Sequence, residues 1–258
     1  RGHRFRSNTD SEVIVHLYEE EGIQCARRLA GMFAFAVWDE RMGALILCRD
    51  RIGIKPLVWW HDGSTLLFAS EIKSILQHPA VERRIDWQAL GLYLTFNYIP
   101  APFSIFENIR KLLPGQTLCF CGGTVSTGEY WNIDHAGLAD RAELGFNEQK
   151  TRLFETMDEA VRSHMIADVP VGAFLSGGID SSIIVGLMAR HSSRPVQTYT
   201  IGFADMPLFD ERSYAREVAR FHGTEHREFA LSARDVLEAI PGVLDSFDEP
   251  FADSSALP

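Results

Sequence analysis

The sequence predicts an α/β chain in two parts, an antiparallel-sheet region followed by a doubly wound parallel sheet. Three observations carry that expectation. In the first half, short apolar runs are separated by turn signals at Asp39–Gly43, Asp62-Gly63 and Gly122-Gly123, which reads as a set of hairpins. From Asn147 onward, strand-like runs alternate with helix-length segments, the pattern of a parallel sheet with crossover helices. Between them, residues 132–145 are charged and show little apolar periodicity, which marks a linker.

The composition allows both parts to bury a core. Of 258 residues, 46% are hydrophobic and 23% charged, as in ordinary globular domains. Twenty-five basic residues against 35 acidic ones give a net charge of -10, which repels nucleic acid. The small cluster of Arg1, Arg4 and Arg6 does not reverse that balance. No apolar run approaches the roughly 18 residues that a membrane span requires, so a soluble cytoplasmic protein without membrane contact is expected. Cys25 and Cys48 stand singly in apolar surroundings and read as reduced core residues. Cys119 and Cys121 lack a second ligand pair at zinc spacing.

In chain order, Thr9 or Asp10 is a candidate cap for a helix through Val13 and Leu17, with Glu12 in its first turn. A second short helix is expected over Gln24–Leu29. Met32–Trp38 is nearly all apolar and predicts a strand buried on both faces, with Ala44–Cys48 returning antiparallel to it. Arg49–Leu57 is charged and turn-rich. Strands follow at V-W-W and T-L-L-F-A-S, then a helix over Ser70–Leu76 and another over Trp87–Thr95 with Leu90, Tyr93 and Leu94 as its buried stripe. Leu118–Phe120 and Val125 flank the last hairpin.

In the second half, Asn147 is the expected cap of a helix with a stripe of Leu153, Met157, Ala160 and Val161, and His164 reads as a helix-end residue. Pro170 precedes a strand ending at Leu175. Val196–Ile201 and Glu225–Leu231 are the next strands. Asp210 starts the helix between them, Gly223 ends it, and Ser232 with Asp235 forms a capping box for the helix containing Val236, Leu237 and Ile240.

The stretch that carries chemistry is V-G-A-F-L-S-G-G-I-D-S-S, Val171–Ser182, a strand, a glycine turn and a helix start. Adjacent glycines let backbone amides converge on an oxyanion, and the helix adds free N–H groups and its positive dipole end. Ser176, Ser181 and Ser182 bring hydroxyl donors. Asp180 places a carboxylate beside the anion, which suits a divalent cation between them. The implied ligand is a phosphate chain with Mg²⁺. No lysine follows the second glycine, so this is not a Walker A loop.

T-D-S-E-V-I, G-M-F-A-F-A-V-W-D, R-D-R-I-G-I-K-P-L, F-A-S-E-I-K and L-P-G-Q follow in order between Thr9 and Gln116, with S-G-G-I-D-S downstream. This series resembles the glutamine-hydrolysing asparagine synthetase family, a class II glutamine amidotransferase half joined to an N-type ATP pyrophosphatase half. The resemblance implies an Ntn-hydrolase-like sandwich of two antiparallel sheets over residues 1–135 and the first part of the ATP-pyrophosphatase domain over residues 146–258, both incomplete. It implies that Asp10 holds the α-amine of glutamine. Leu175 and Ile201 would touch adenosine, and Ser176, Gly177, Gly178, Asp180, Ser181 and Ser182 would hold the pyrophosphate of ATP, with Asp180 on Mg²⁺. Asp248, Glu249 and Asp253 are open to two readings, the acceptor or metal side of that site and a solvated acidic loop.

The implied reaction turns ATP, aspartate, glutamine and water into asparagine, glutamate, AMP and pyrophosphate through an aspartyl-adenylate. A homodimer is compatible with it. The sequence departs from the family in two places. The family's nucleophile is an N-terminal cysteine whose own amine is the base, whereas position 1 is Arg, and N-G-E-I-Y is missing. A chain truncated at both ends, with no catalytic residue of the glutaminase and no turnover by itself, is expected. The alternatives are a sibling amidotransferase acting on a surface glycan or peptide precursor, a tRNA-modifying protein, which the acidic balance disfavours, and a nucleotide-binding module without turnover.

Overall fold

The computed structural model describes residues 2–133 and 144–253. These fall into two compact units, the first comprising residues 2–133 with the returning segment Ser246–Asp253, the second residues 144–245. The fold is mixed, with antiparallel sheets in the first unit and a parallel sheet in the second. Most of the expected linker, residues 134–143, lies outside the described residues.

The first unit opens with α1 (Glu12–Glu21) and a 3-10 turn at Gly22–Arg28. Strands β1 (Ala34–Asp39), β2 (Ala44–Arg49), β6 (Gln116–Cys121) and β7 (Thr124–Glu129) form one antiparallel sheet in the order β1-β2-β6-β7. Strands β3 (Val58–His61), β4 (Leu66–Ala69) and β5 (Ile109–Lys111) form a second, ordered β4-β3-β5. Leu47 and Leu118 from the first sheet share a core with Leu57 and Leu112, which flank the second. Val58, Trp60 and Ile109 pack on α2 (Ile72–Ile75) in another.

Two expectations are corrected here. The apolar run Met32–Trp38 is not buried on both faces: β1 is an edge strand, and Trp38 is 61% exposed. The neighbouring β2 takes the interior place, with Ala44, Ile46, Leu47 and Cys48 all buried. In α3 (Trp87–Phe96), Leu94 points to solvent at 74% exposure, and the fully buried residue is Ala89. Asp86 caps this helix, accepting from the N–H groups of Gln88 and Ala89 at 2.9 and 3.0 Å, and Ala89 packs in a cluster with Ile99 and Ile105. Cys25 and Cys48 are buried thiols as expected, and burial pushes Cys48 up to about 12.

The second unit contains α4 (Phe146–His164), β8 (Gly172–Phe174), α5 (Ile179–His191), β9 (Gln197–Phe203), α6 (Arg212–His222), β10 (Glu225–Leu231) and α7 (Ala233–Ser246). Gly145, not Asn147, occupies the cap position of α4, and Leu153 is 61% exposed rather than part of the buried stripe. His164 sits at the helix end with Nδ1 2.7 Å from the Ala160 carbonyl. The strand order β10-β9-β8 is parallel throughout and advances in one direction, so the described strands contain no reversal of the kind a doubly wound sheet has. Helices α4, α5 and α6 pack on the face that carries Ala173. The opposite face leaves Phe174 81% and Phe229 51% exposed. Among the described residues no helix is long and apolar enough to cross a membrane.

Candidate functional site

The turn between β8 and α5 is built from short-range bonds. Leu175 is buried and donates its N–H to the Tyr199 carbonyl at 2.8 Å, while its own carbonyl accepts from the Thr200 hydroxyl. The chain then leaves the sheet at Ser176 and bends through Gly177, whose φ of +81° suits glycine. A Cβ at Gly177 would stand 2.5 Å from the Tyr214 carbonyl carbon and 2.6 Å from the Ala215 nitrogen, so this side of the bend is closed by α6.

The serines fold the loop back on itself. The hydroxyls of Ser176 and Ser181 are 2.9 Å apart, and each accepts a loop amide: Gly178 N–H to Ser176 Oγ at 3.2 Å, Ser176 N–H to Ser181 Oγ at 3.3 Å. Ser182 Oγ donates to the Gly178 carbonyl at 2.7 Å. Two loop amides are therefore answered internally. The first-turn amides of Ile179, Asp180 and Ser181 have no carbonyl within the helix to receive them, and Gly178 in the cap position has no side chain to do so. Asp180 lies in that first turn, exposed to solvent. An electropositive helix end with hydroxyls around it can take an oxyanion, and Asp180 can hold a cation beside it.

A cavity of about 340 Å³ opens next to the turn, lined by Phe174, Leu175, Ser176, Ser181, Tyr199, Thr200, Ile201 and Glu211. It brings together four of the expected residues, Leu175, Ser176, Ser181 and Ile201. Gly177, Gly178, Asp180 and Ser182 belong to the turn but do not line the cavity. Tyr199, Thr200 and Glu211 were not singled out by sequence. Thr200 carried a signal, because a threonine at an inward position of an alternating strand must find a partner. Asp210 does not begin α6. It forms a two-point ion pair with Arg212, Oδ1 to Nε at 2.8 Å and Oδ2 to a terminal nitrogen at 2.7 Å, which holds the Asp210 carboxyl below its ordinary range.

Asp10 is not a helix cap. Ser11 holds that position without a side-chain bond, and the Asp10 carboxylate accepts from Ser11 Oγ at 3.3 Å. It lines a cavity of about 390 Å³ in the first unit, together with Val13, Ile14, Phe33, Phe35, Lys55 and Ser70 among others. A carboxylate and an ammonium on the walls of one cavity suit a ligand with separated charges. Lys55 and Ser70 lie in turn-rich sequence that gave no such signal.

Of the three acids near the end of the described chain, Asp248 and Glu249 are held by the first unit, whereas Asp253 is exposed. The Asp248 carboxylate accepts the Ile72 N–H. Glu249 pairs with Lys111 and accepts the Ile105 N–H at 3.3 Å, and Ala252 N–H donates to the Asn97 carbonyl at 3.0 Å.

Comparison with known proteins adds family information to this geometry. Residues 1–131 match the family model described as glutamine amidotransferase domain, and residues 152–258 match the one described as asparagine synthase. A candidate glutamine-hydrolyzing asparagine synthetase 2 of Methanocaldococcus jannaschii is 36% identical over 98% of this chain and 49% of its own length. The glutamine-hydrolyzing asparagine synthetases 3 and 1 of Bacillus subtilis are 32% and 31% identical over 92% and 100% of this chain, and 40% of each relative is covered. The chain thus spans half or less of the length of these relatives.

Proposed function

We propose, from the premise that this chain belongs to the glutamine amidotransferase family and carries asparagine synthase sequence behind it, that it is part of an ATP-dependent enzyme making asparagine from aspartate and glutamine. The first unit is read as an Ntn-hydrolase-like glutaminase domain that releases ammonia, residues 1–135. The second, residues 146–258, is read as the first part of an ATP-pyrophosphatase domain. A further strand beside β8 would give its sheet the reversal that doubly wound folds use for ligands. A cytoplasmic location belongs to the same reading.

The observation that carries the proposal is the set of first-turn amides at Ile179, Asp180 and Ser181, open at a strand-to-helix junction beside a cavity. Leu175 and Ile201 face the adenosine of ATP across that cavity. The amides, with the close backbone at Gly177 and Gly178, hold the two terminal phosphates, and the hydroxyls of Ser176, Ser181 and Ser182, bonded within the loop, rotate to join them. The aspartate carboxylate attacks the α-phosphorus, pyrophosphate leaves, and ammonia displaces AMP from the mixed anhydride. Fixed donors aimed at the leaving pyrophosphate stabilise its developing charge without reorganisation. Asp180 fits Mg²⁺, because it is an exposed carboxylate in the first turn of α5, next to the amides. When bound, Mg²⁺ neutralises phosphate charge. In the first unit Asp10 holds the glutamine α-amine, with Lys55 available to its carboxylate.

The test is pyrophosphate release by the intact protein, supplied with Mg·ATP, aspartate and ammonium so that glutaminase activity does not matter. Release should require aspartate and fall by roughly hundredfold in Asp180→Asn. Normal release by that variant at saturating Mg·ATP refutes the assignment of Asp180. Release that ignores aspartate would mean that water takes the place of the carboxylate at the α-phosphorus, and refutes aspartate as the acceptor.

A further inference from the structure

Away from both cavities, the start of the chain brings two imidazoles and a carboxylate to one point. His16 and Glu19 are three residues apart on α1 and so share a helix face. The segment ahead of the helix lays His3 across them. Nδ1 of His3 is 3.6 Å, and Nδ1 of His16 3.3 Å, from the same Glu19 oxygen, with the two rings 4.5 Å apart. One donor atom from each residue lies within 4.8 Å of the other two. Donors held about 2.0–2.1 Å from a tetrahedral zinc stand roughly 3.3–3.4 Å from one another, so little movement separates this cluster from a ligand set.

The second nitrogen of each ring also faces an acid. His3 Nε2 is 2.9 Å from Glu20 Oε1, and His16 Nε2 is 3.5 Å from Glu12 Oε1. His16 Nε2 is buried and makes no hydrogen bond among the described residues. Glu12 is itself fixed, accepting from the N–H groups of Arg6 and Ser7 at 2.7 Å each and from the Ser7 hydroxyl. An outer carboxylate on the far nitrogen is the support that orients a metal-bound histidine and makes it a better donor. Two imidazoles among three carboxylates are a nitrogen and oxygen donor set of negative charge, suited to a divalent transition ion.

We propose that His3, His16 and Glu19 bind a zinc ion, with water completing the shell and Glu20 and Glu12 orienting the two rings. The ion ties the segment ahead of α1 to the helix, a short stretch of chain before Asp10. It is independent of the nucleotide chemistry.

The experiment is titration of the chelator-stripped full chain with ZnCl₂ by calorimetry, and with CoCl₂ by visible absorption. A single zinc ion should bind, and cobalt should give a visible spectrum without the near-ultraviolet thiolate band that Cys119 and Cys121 would produce. His3→Gln and Glu19→Gln, both at exposed positions, should each weaken zinc by roughly tenfold or more while leaving the metal-free circular dichroism unchanged. No bound ion, a thiolate band, or affinity unaltered in both variants would overturn the proposal and leave the cluster as ion pairs only.

Discussion

Two turns in this chain gather backbone N–H groups in similar ways and differ in what answers them. In the first unit, the turn after β2 wraps around Asp50, which is 1% exposed and accepts from the N–H groups of Ile52, Ile54, Lys55 and Phe33 at 2.9 to 3.3 Å. Beside it, the Arg49 guanidinium donates to the carbonyls of Lys55, Gly53 and Leu112, closing the turn from the other side. In the second unit, the turn after β8 has Gly178 at the cap of α5, with no side chain to accept, and among the described residues nothing answers the amides at the head of that helix. The same backbone device is structural where the chain supplies its own anion, and a candidate binding site where it does not.

The largest effect expected from this contrast is at Asp50. Asp50→Ala leaves four N–H donors of part-buried bonds unanswered and should cost about 3 kcal/mol in chemical denaturation. Burial pushes the Asp50 carboxyl up, but the amides of Lys55, Ile54, Gly53 and Ile52 outweigh it and hold it below the ordinary carboxylate value. Its folded pKa is thus lower than its unfolded one, so the stabilisation is complete above about pH 4 and is lost as pH falls through the folded value. Acid titration of stability should show this loss in the parent chain and a shallower one in Asp50→Asn. An unchanged slope would mean that Asp50 does not hold the turn as an anion.

Gly177→Ala tests the open turn. A side chain at positive φ costs about 1–2 kcal/mol, and the clash with Tyr214 and Ala215 about 1 kcal/mol more, so a loss of about 2–3 kcal/mol is expected in thermal unfolding. Pyrophosphate binding should fall with it, because displacing α6 reshapes the bend. The closed turn has no such dependence on a ligand. Inorganic pyrophosphate should raise the melting temperature of the parent chain, and this protection should disappear in Gly177→Ala.

Much of this architecture is legible in the sequence, and the exceptions have physical causes. The hairpins at Asp39–Gly43 and Gly122-Gly123 follow from turn chemistry, and the third parallel strand spans Glu225–Leu231 as its alternation predicts. The Ser232–Asp235 capping box forms, with Ser232 N–H to Asp235 at 2.7 Å and Asp235 N–H to Ser232 at 3.2 Å. Periodicity cannot tell an edge strand from a central one, because Met32–Trp38 and Ala44–Cys48 are equally apolar and only pairing order separates them. It cannot fix the rotation of α3 either, where packing with Ile99 and Ile105 takes in Ala89 and leaves Leu94 exposed. The role of Asp50 was hidden for another reason: its acceptors are filled by main-chain groups, which have no residue type. The glycine-serine turn could be read because its bend uses recognisable residue types, glycine at a positive φ and serines that close the loop.

Helix caps give a finer scale for the same contrast. Ser232→Ala removes a side chain that answers the head of α7 and should cost about 1 kcal/mol by denaturation, with no effect on pyrophosphate binding. A larger loss would show that the box also anchors the strand before it.

The smallest effect in stability is the most discriminating. Gly178 has φ -69° and ψ 165°, an extended conformation that aspartate adopts readily at a cap, and its added Cβ would meet only the Ser176 hydroxyl at 3.3 Å. Gly178→Asp would give α5 what α3 already has, a carboxylate of its own on the first-turn amides. The chain should gain a few tenths of a kcal/mol, the usual difference between a carboxylate and glycine at this position. Pyrophosphate should then bind more weakly, since an internal anion occupies the donors and repels the incoming one. A variant that is slightly more stable and binds poorly would show that the open amides are kept open for a ligand. Equal binding in the capped variant would place the phosphate elsewhere, whatever the stability says.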